Sequence, residues 1–163
     1  MELTLDILGL QGTEALGHRL GQLLFPGAVV ALVGPLGAGK THFVRAIAEG
    51  VGVSNPAIVS SPTFVLIHEY PARIPIYHFD AYRLSGAREF EELGTGDYFS
   101  RMGISLVEWA DRVESALPRE QLRVQIRIVD TVRRQFTITA IGQQYEQLLQ
   151  HLMQETSNIE LIR

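Results

Sequence analysis

The apolar run Ala28-Val29-Val30-Ala31-Leu32-Val33 is the longest in the chain. It does not alternate with polar positions and it is rich in valine. It therefore predicts a strand buried on both faces. Before it, Glu2 to Asp6 alternates and predicts a short strand. Thr13 to Phe25 carries Ala15, Leu16, Leu20, Leu23 and Leu24 at helical spacing, with Thr13 as N-cap and Pro26-Gly27 as the break. After it, Phe43, Val44, Ile47 and Ala48 share one helical face, and Gly50 and Gly52 suit a helix end.

Downstream, Ser54-Asn55-Pro56 reads as a turn, and Thr63 to Tyr70 and Pro75 to Asp80 read as strands. Gly86 to Phe99 is polar and suggests short helices. Ile104 to Trp109 is a further strand. Leu122, Val124, Ile126 and Ile128 alternate with polar residues, the pattern of a half-exposed strand. A turn over Asp130 to Arg133 leads to a hairpin partner, Phe136 to Ile141, and Gln143 to Gln154 is an amphipathic helix. Early strands separated by helices, then a late hairpin, imply an α/β fold of layered type with a mixed sheet. The expectation is a single domain over residues 1–163, without repeats or linkers.

Composition narrows the classes. Apolar residues make up 46% and charged residues 20%, as in globular chains. Cysteine is absent, which excludes disulfides, thiolate nucleophiles and Cys-ligated zinc. A formal charge of −4 argues against a general nucleic-acid-binding face. No leader pattern opens the chain and no apolar run is long enough to span a membrane, so a cytoplasmic location is expected.

The buried strand runs straight into Gly34-Pro35-Leu36-Gly37-Ala38-Gly39-Lys40-Thr41, the Walker A pattern. Lys40 is the only lysine among fourteen strong bases. A compact ammonium can fold back over a glycine loop onto a phosphoryl oxygen; a planar guanidinium fork cannot take its place. Strand, glycine loop and helix together predict a P-loop NTPase-like three-layer domain, its central sheet mixed but mainly parallel. Main-chain N–H groups and the helix N-terminus would face the phosphates, with the Thr41 hydroxyl on Mg²⁺. A P-loop nucleotidase also needs acidic groups near the metal. Asp80 and Glu108 each end an apolar strand, where ligands of α/β sheets sit. Ser60-Ser61-Pro62-Thr63-Phe64 lies between the two motifs and reads either as a switch segment or as an ordinary turn. His78 reads as a hydrogen-bonded histidine rather than a zinc ligand. Arg83 is open between an arginine finger and a salt bridge, and Trp109 between core and nucleotide neighbour.

Taken together, Gly34 to Thr41, Ser61-Pro62-Thr63-Phe64, His78-Phe79-Asp80-Ala81-Tyr82-Arg83 and Val107-Glu108-Trp109 resemble the TsaE family, formerly YjeE. The resemblance covers roughly Thr13 to Gly142. It implies a P-loop ATPase of tRNA threonylcarbamoyladenosine (t6A) synthesis that uses ATP and Mg²⁺. By that resemblance Lys40, Asp80 and Glu108 are catalytic, and Thr41, Asp80 and Glu108 hold the metal. The nucleotide would be bound by Thr13, Gly37, Ala38, Gly39, Lys40, Thr41, His42, Thr63, Trp109, Asp111 and Arg133, with Arg134 an open alternative to Arg133. The resemblance also implies action with TsaB and TsaD homologues, and contact with tRNA through that complex. Pro35 and His42 depart from the family pattern, which usually has an acidic residue and a small hydroxyl residue there. A small-molecule kinase and a nucleotide-dependent binding module are the alternative classes.

Overall fold

The computed structural model describes residues 1–156. Residues 157–163 of the expected single domain lie outside the described residues. The element order is β1 (Glu2–Leu8), α1 (Gly9–Leu23), β2 (Val29–Val33), α2 (Lys40–Val51), β3 (Ile67–Tyr70), β4 (Ile76–Asp80), α3 (Ala87–Glu92), α4 (Thr95–Ser100), β5 (Ile104–Glu108), β6 (Gln121–Ile128), β7 (Arg133–Ile141) and α5 (Gln143–Thr156). Among the described residues, no helix is long and apolar enough to cross a membrane.

Seven strands form one sheet in the order β1-β7-β6-β2-β5-β4-β3. The four central strands, β6, β2, β5 and β4, are mutually parallel. The flanking pairs β1–β7, β6–β7 and β3–β4 are antiparallel, and β6–β7 is the late hairpin expected from the alternating pattern. The unbroken apolar run of β2 has a direct cause. Val30 and Leu32 pack into a core with Leu16, Leu20, Phe43, Ile47 and Leu149. Ala31 belongs to a second core with Phe79, Phe90 and Val107, against which Val33 also packs. With helices on both faces, Val29 to Leu32 are buried and only Val33 at the strand end is partly exposed, and the fold has three layers.

Several boundaries differ from the sequence expectation: β1 runs on to Leu8, β7 starts at Arg133 rather than Phe136, and three more lie beside the glycine loop and the strand ends. Helix α1 starts at Gly9, so Thr13 is not its N-cap but a buried residue inside it. The chain turns directly out of β1, where Gly9 donates its N–H to the Val132 carbonyl at 2.7 Å. Leu10 on the first turn is 66% exposed, so apolar periodicity does not mark the start. The strand expected from Thr63 begins only at Ile67. Leu66 donates back to the Pro62 carbonyl at 2.5 Å with φ +75°, which curls residues 62–66 off the sheet edge. Strand β5 ends at Glu108 because Trp109 takes φ +58° and leaves the strand direction.

Helices α1 and α2 cross closely. A Cβ on Gly50 would lie 2.1 Å from the His18 carbonyl oxygen, and one on Gly21 would lie 2.2 Å from that of Ile47. Gly50 is therefore a packing residue inside α2, and Gly52, at φ +106°, is the helix cap. This crossing fixes α1 against the helix that begins at Lys40.

Candidate functional site

The carboxyl ends of β2, β4 and β5 lie at one edge of the sheet. The parallel register sets Asp80 beside Glu108 and Leu32 beside Glu108. Side chains two apart along a strand share a face. Ile76, His78 and Asp80 therefore point to the side of the sheet that carries α2, and so do Ile104, Leu106 and Glu108. Both carboxylates are nearly sealed from solvent, at 3% and 2% exposure.

The glycine loop from Gly34 to Gly39 opens α2. Gly37 and Gly39 adopt φ +79° and +99°, and a Cβ at either would meet nothing within 4 Å. Backbone conformation, not crowding, demands glycine at these two positions. Lys40 is 5% exposed and folds back over the loop. Its Nζ donates to the carbonyls of Gly34 at 2.6 Å and Pro35 at 2.9 Å. The same ammonium sits 3.9 Å from the centre of the Trp109 ring. Burial pulls the Lys40 pKa below its ordinary 10.5, while the charges of Glu108, Asp111 and Asp80 oppose that shift. The left-handed turn at Trp109 is what lays the indole over the lysine.

Thr41 donates its hydroxyl to Glu108 Oε1 at 2.8 Å. His78 Nε2 lies 2.6 Å from Glu108 Oε2. Asp80 Oδ2 accepts from the hydroxyls of Ser61 at 2.6 Å and Thr63 at 2.9 Å, and Asp80 Oδ1 accepts from the Tyr82 N–H at 2.8 Å. A cavity of about 530 Å³ lies over this group; its lining includes Gly37, Gly39, Lys40, Thr41, His42 and Trp109. A smaller cavity of about 230 Å³ adjoins it, lined by residues including Thr13, Ala38, His42, Val132 and Arg134. His42 lines both, next to Glu14 of α1, with Nε2 to Oε1 at 3.3 Å.

Among the described residues, no three His, Cys, Asp or Glu side chains cluster as a metal site. The donors here are two carboxylates and a hydroxyl, all hard oxygens. That set fits a cation that takes its remaining ligands from phosphate and water, as Mg²⁺ does. It includes none of the imidazole or thiolate donors around which zinc sites are built.

Most of the expected site residues converge. Lys40, Thr41, His42, Thr63, Asp80, Glu108 and Trp109 share the larger cavity with Gly37 and Gly39, and Thr13 and Ala38 line the smaller one. Asp111 lines neither, though its charge reaches Lys40. Arg133 lines neither cavity. Its side chain pairs with Asp130 at 3.0 Å, whereas Arg134 donates to the carbonyls of Ala38 at 3.3 Å and Gly37 at 3.5 Å. Alternation along β7 separates the two neighbours to opposite faces. Arg83 stacks on the Phe64 ring at 4.0 Å and does not line either cavity. Tyr82 and Leu36 also line the larger cavity. Both stand inside the motifs quoted above, but neither was singled out there as a site residue.

The chain matches the family model "Threonylcarbamoyl adenosine biosynthesis protein TsaE" over residues 9–136. It is 43% identical over 141 residues to the tRNA threonylcarbamoyladenosine biosynthesis protein TsaE of Bacillus subtilis, covering 86% of this chain and 87% of that one. The corresponding protein of Treponema pallidum is 37% identical over 128 residues, covering 78% and 93%. The crystal structure of Bacillus subtilis YdiB superposes with a TM-score of 0.83 at 36% identity, covering 96% of this chain and 97% of that one. The glycine loop, the paired carboxylates and these likenesses lead to one statement: the chain belongs to the TsaE family and to tRNA threonylcarbamoyladenosine biosynthesis.

Proposed function

We propose that this chain is the ATP-hydrolysing component of the t6A machinery and acts with TsaB and TsaD homologues. The observation that carries the reading is the parallel pairing of Asp80 and Glu108 beside the Lys40-Thr41 end of the glycine loop. Thr41, Asp80 and Glu108 would hold Mg²⁺, which when bound neutralises phosphate charge and fixes its geometry.

This chain's own groups do the rest. The N–H groups of the loop and the N-terminal end of α2 offer partial positive charge to a triphosphate. Lys40 exchanges the carbonyls of Gly34 and Pro35 for phosphoryl oxygens, and Trp109 keeps water from the other side of the ammonium. The base would occupy the smaller cavity, where Thr13 and Arg134 offer polar contacts and Leu10 and Val132 apolar ones. The chemistry is in-line attack of water on the γ-phosphate, aided by charge stabilisation in a preorganised site.

Both switch hydroxyls, Ser61 and Thr63, are spent on Asp80, so turnover by the isolated chain is expected to be slow. The test measures ADP formation with and without TsaB and TsaD homologues, for wild type and for Lys40→Ala. Stimulation by the partners that is lost in Lys40→Ala supports the reading. Turnover that needs a metabolite acceptor, or that survives in Lys40→Ala, overturns it.

A further inference from the structure

Glu108 is gripped from both sides. Oε1 faces Thr41, and Oε2 is bonded to His78. An ionised carboxylate only accepts, so His78 Nε2 is the donor. Behind His78 the chain of polar contacts continues. His78 Nδ1 lies 3.1 Å from the Tyr70 hydroxyl, which lies 3.3 Å from the Ser60 carbonyl and 3.1 Å from His68 Nδ1. His78, Glu108 and Tyr70 are 0%, 2% and 4% exposed. The Tyr70 hydroxyl has one proton, so it donates either to the Ser60 carbonyl or to His78 Nδ1. Glu108, His78 and Tyr70 form the buried part of this run, Thr41 is half-buried and Ser60 is exposed. Ser60 adjoins Ser61, and Ser61 and Thr63 are bonded to Asp80. Residues 60–63 are thus bonded directly to Asp80, and their Ser60 carbonyl and His78 Nδ1, behind Glu108, both face the one Tyr70 hydroxyl. Apolar side chains of the same size would fill this space without the cost of burying polar groups.

We propose that His78 and Tyr70 are positioning residues. His78 holds Glu108 so that its other oxygen serves the metal, and Tyr70 couples that carboxylate to the docking of residues 60–63. The proposal rests on the Mg²⁺–ATP reading above. Orienting partners of metal ligands typically set affinity by about 10–100-fold.

The full chain is tested as wild type, His78→Leu, His78→Gln and Tyr70→Phe. Trp109, the only tryptophan, reports ATP binding by fluorescence, first in EDTA and then across a Mg²⁺ titration. Amide exchange over residues 60–66 reports the segment. ATP affinity in EDTA should be unchanged in every variant. His78→Leu should raise the Mg²⁺ concentration for half-saturation about 10-fold or more. His78→Gln, which keeps a donor for Glu108, should recover most of that loss. Tyr70→Phe should keep ATP binding but lose the Mg²⁺-dependent protection of residues 60–66. If His78→Leu does not fold, amide exchange in Tyr70→Phe carries the test alone. Wild-type Mg²⁺ dependence in a folded His78→Leu, or full protection in Tyr70→Phe, overturns the proposal. A wild-type signal that responds to ATP but not to Mg²⁺ overturns the metal reading itself, and this inference with it.

Discussion

Replacing glycine by alanine should have opposite effects in two helices of this chain. Gly50 lies in α2 where it crosses α1, and its Cβ would sit 2.1 Å from the His18 carbonyl oxygen and 3.1 Å from the Gly21 Cα. Both atoms are backbone, so the clash is relieved only by moving one helix. Overpacking of this kind costs about 1–3 kcal/mol, and a backbone obstacle belongs at the upper end. Alanine returns about 1 kcal/mol through helix propensity. The net loss is about 2 kcal/mol, which lowers Tm by about 4–8 °C in a domain of this size. Gly96 lies in α4, and nothing stands within 4 Å of its Cβ. There only the propensity gain remains, up to about 1 kcal/mol, and Tm should rise by about 2–4 °C. Calorimetry on Gly50→Ala and Gly96→Ala compares the two. A Gly50→Ala variant as stable as wild type would refute the close crossing, and with it the fixed placement of α1 beside the glycine loop.

Tyr145 accepts the Val29 N–H at 2.8 Å and is 4% exposed, so Tyr145→Phe strands a buried donor. Urea unfolding should show a loss of about 1–3 kcal/mol with an unchanged m-value, and no loss would mean that Val29 finds another acceptor. Backbone N–H bonds from Val132 and Arg133 hold the Asp130 carboxyl below its ordinary pKa of 3.8. Its contribution to stability is complete above that value and fades as pH falls through the lowered folded value. The Tm gap between wild type and Asp130→Ala should therefore narrow as pH falls below the ordinary carboxylate range, and a gap that stays constant or widens in acid would contradict this. Arg134→Ala should weaken ATP binding about 10-fold, equivalent to ~1.4 kcal/mol, while Arg133→Ala should leave it unchanged. Calorimetric titration of both variants decides, and the reverse ranking would place Arg133, not Arg134, at the nucleotide.

The site was legible where chemistry dictates residue type at fixed spacing. Gly37, Gly39, Lys40 and Thr41 announce a phosphate cradle, and the strand-end positions of Asp80 and Glu108 follow from apolar runs that stop at a carboxylate. The sheet centre was legible for the same reason, since β2 carries no polar position in any of its five residues. What stayed hidden depends on backbone turns and tertiary contact. Thr13 looked like a cap because the first turn of α1 shows Leu10 to solvent. Thr63 to Leu66 has strand composition, but hydroxyl bonds to Asp80 and the left-handed Leu66 pull it away from the ladder. Arg133 and Arg134 are chemically identical neighbours, and only the facing of β7 separates them. The Tyr70–His78 contact joins residues on β3 and β4 that carry no shared motif.

The central claim is that Asp80 and Glu108 make a hydrolytic site out of a nucleotide grip. The most direct measurement is single-turnover ADP formation from ATP with Mg²⁺, in wild type, Asp80→Asn and Glu108→Gln, in the presence of the TsaB and TsaD homologues. ATP affinity in EDTA is measured alongside by Trp109 fluorescence. Both variants should still bind ATP, and both should lose about 100-fold or more in the rate of hydrolysis, in keeping with the loss of a charged group from a preorganised site. Hydrolysis at the wild-type rate in either variant, with binding intact, would contradict it.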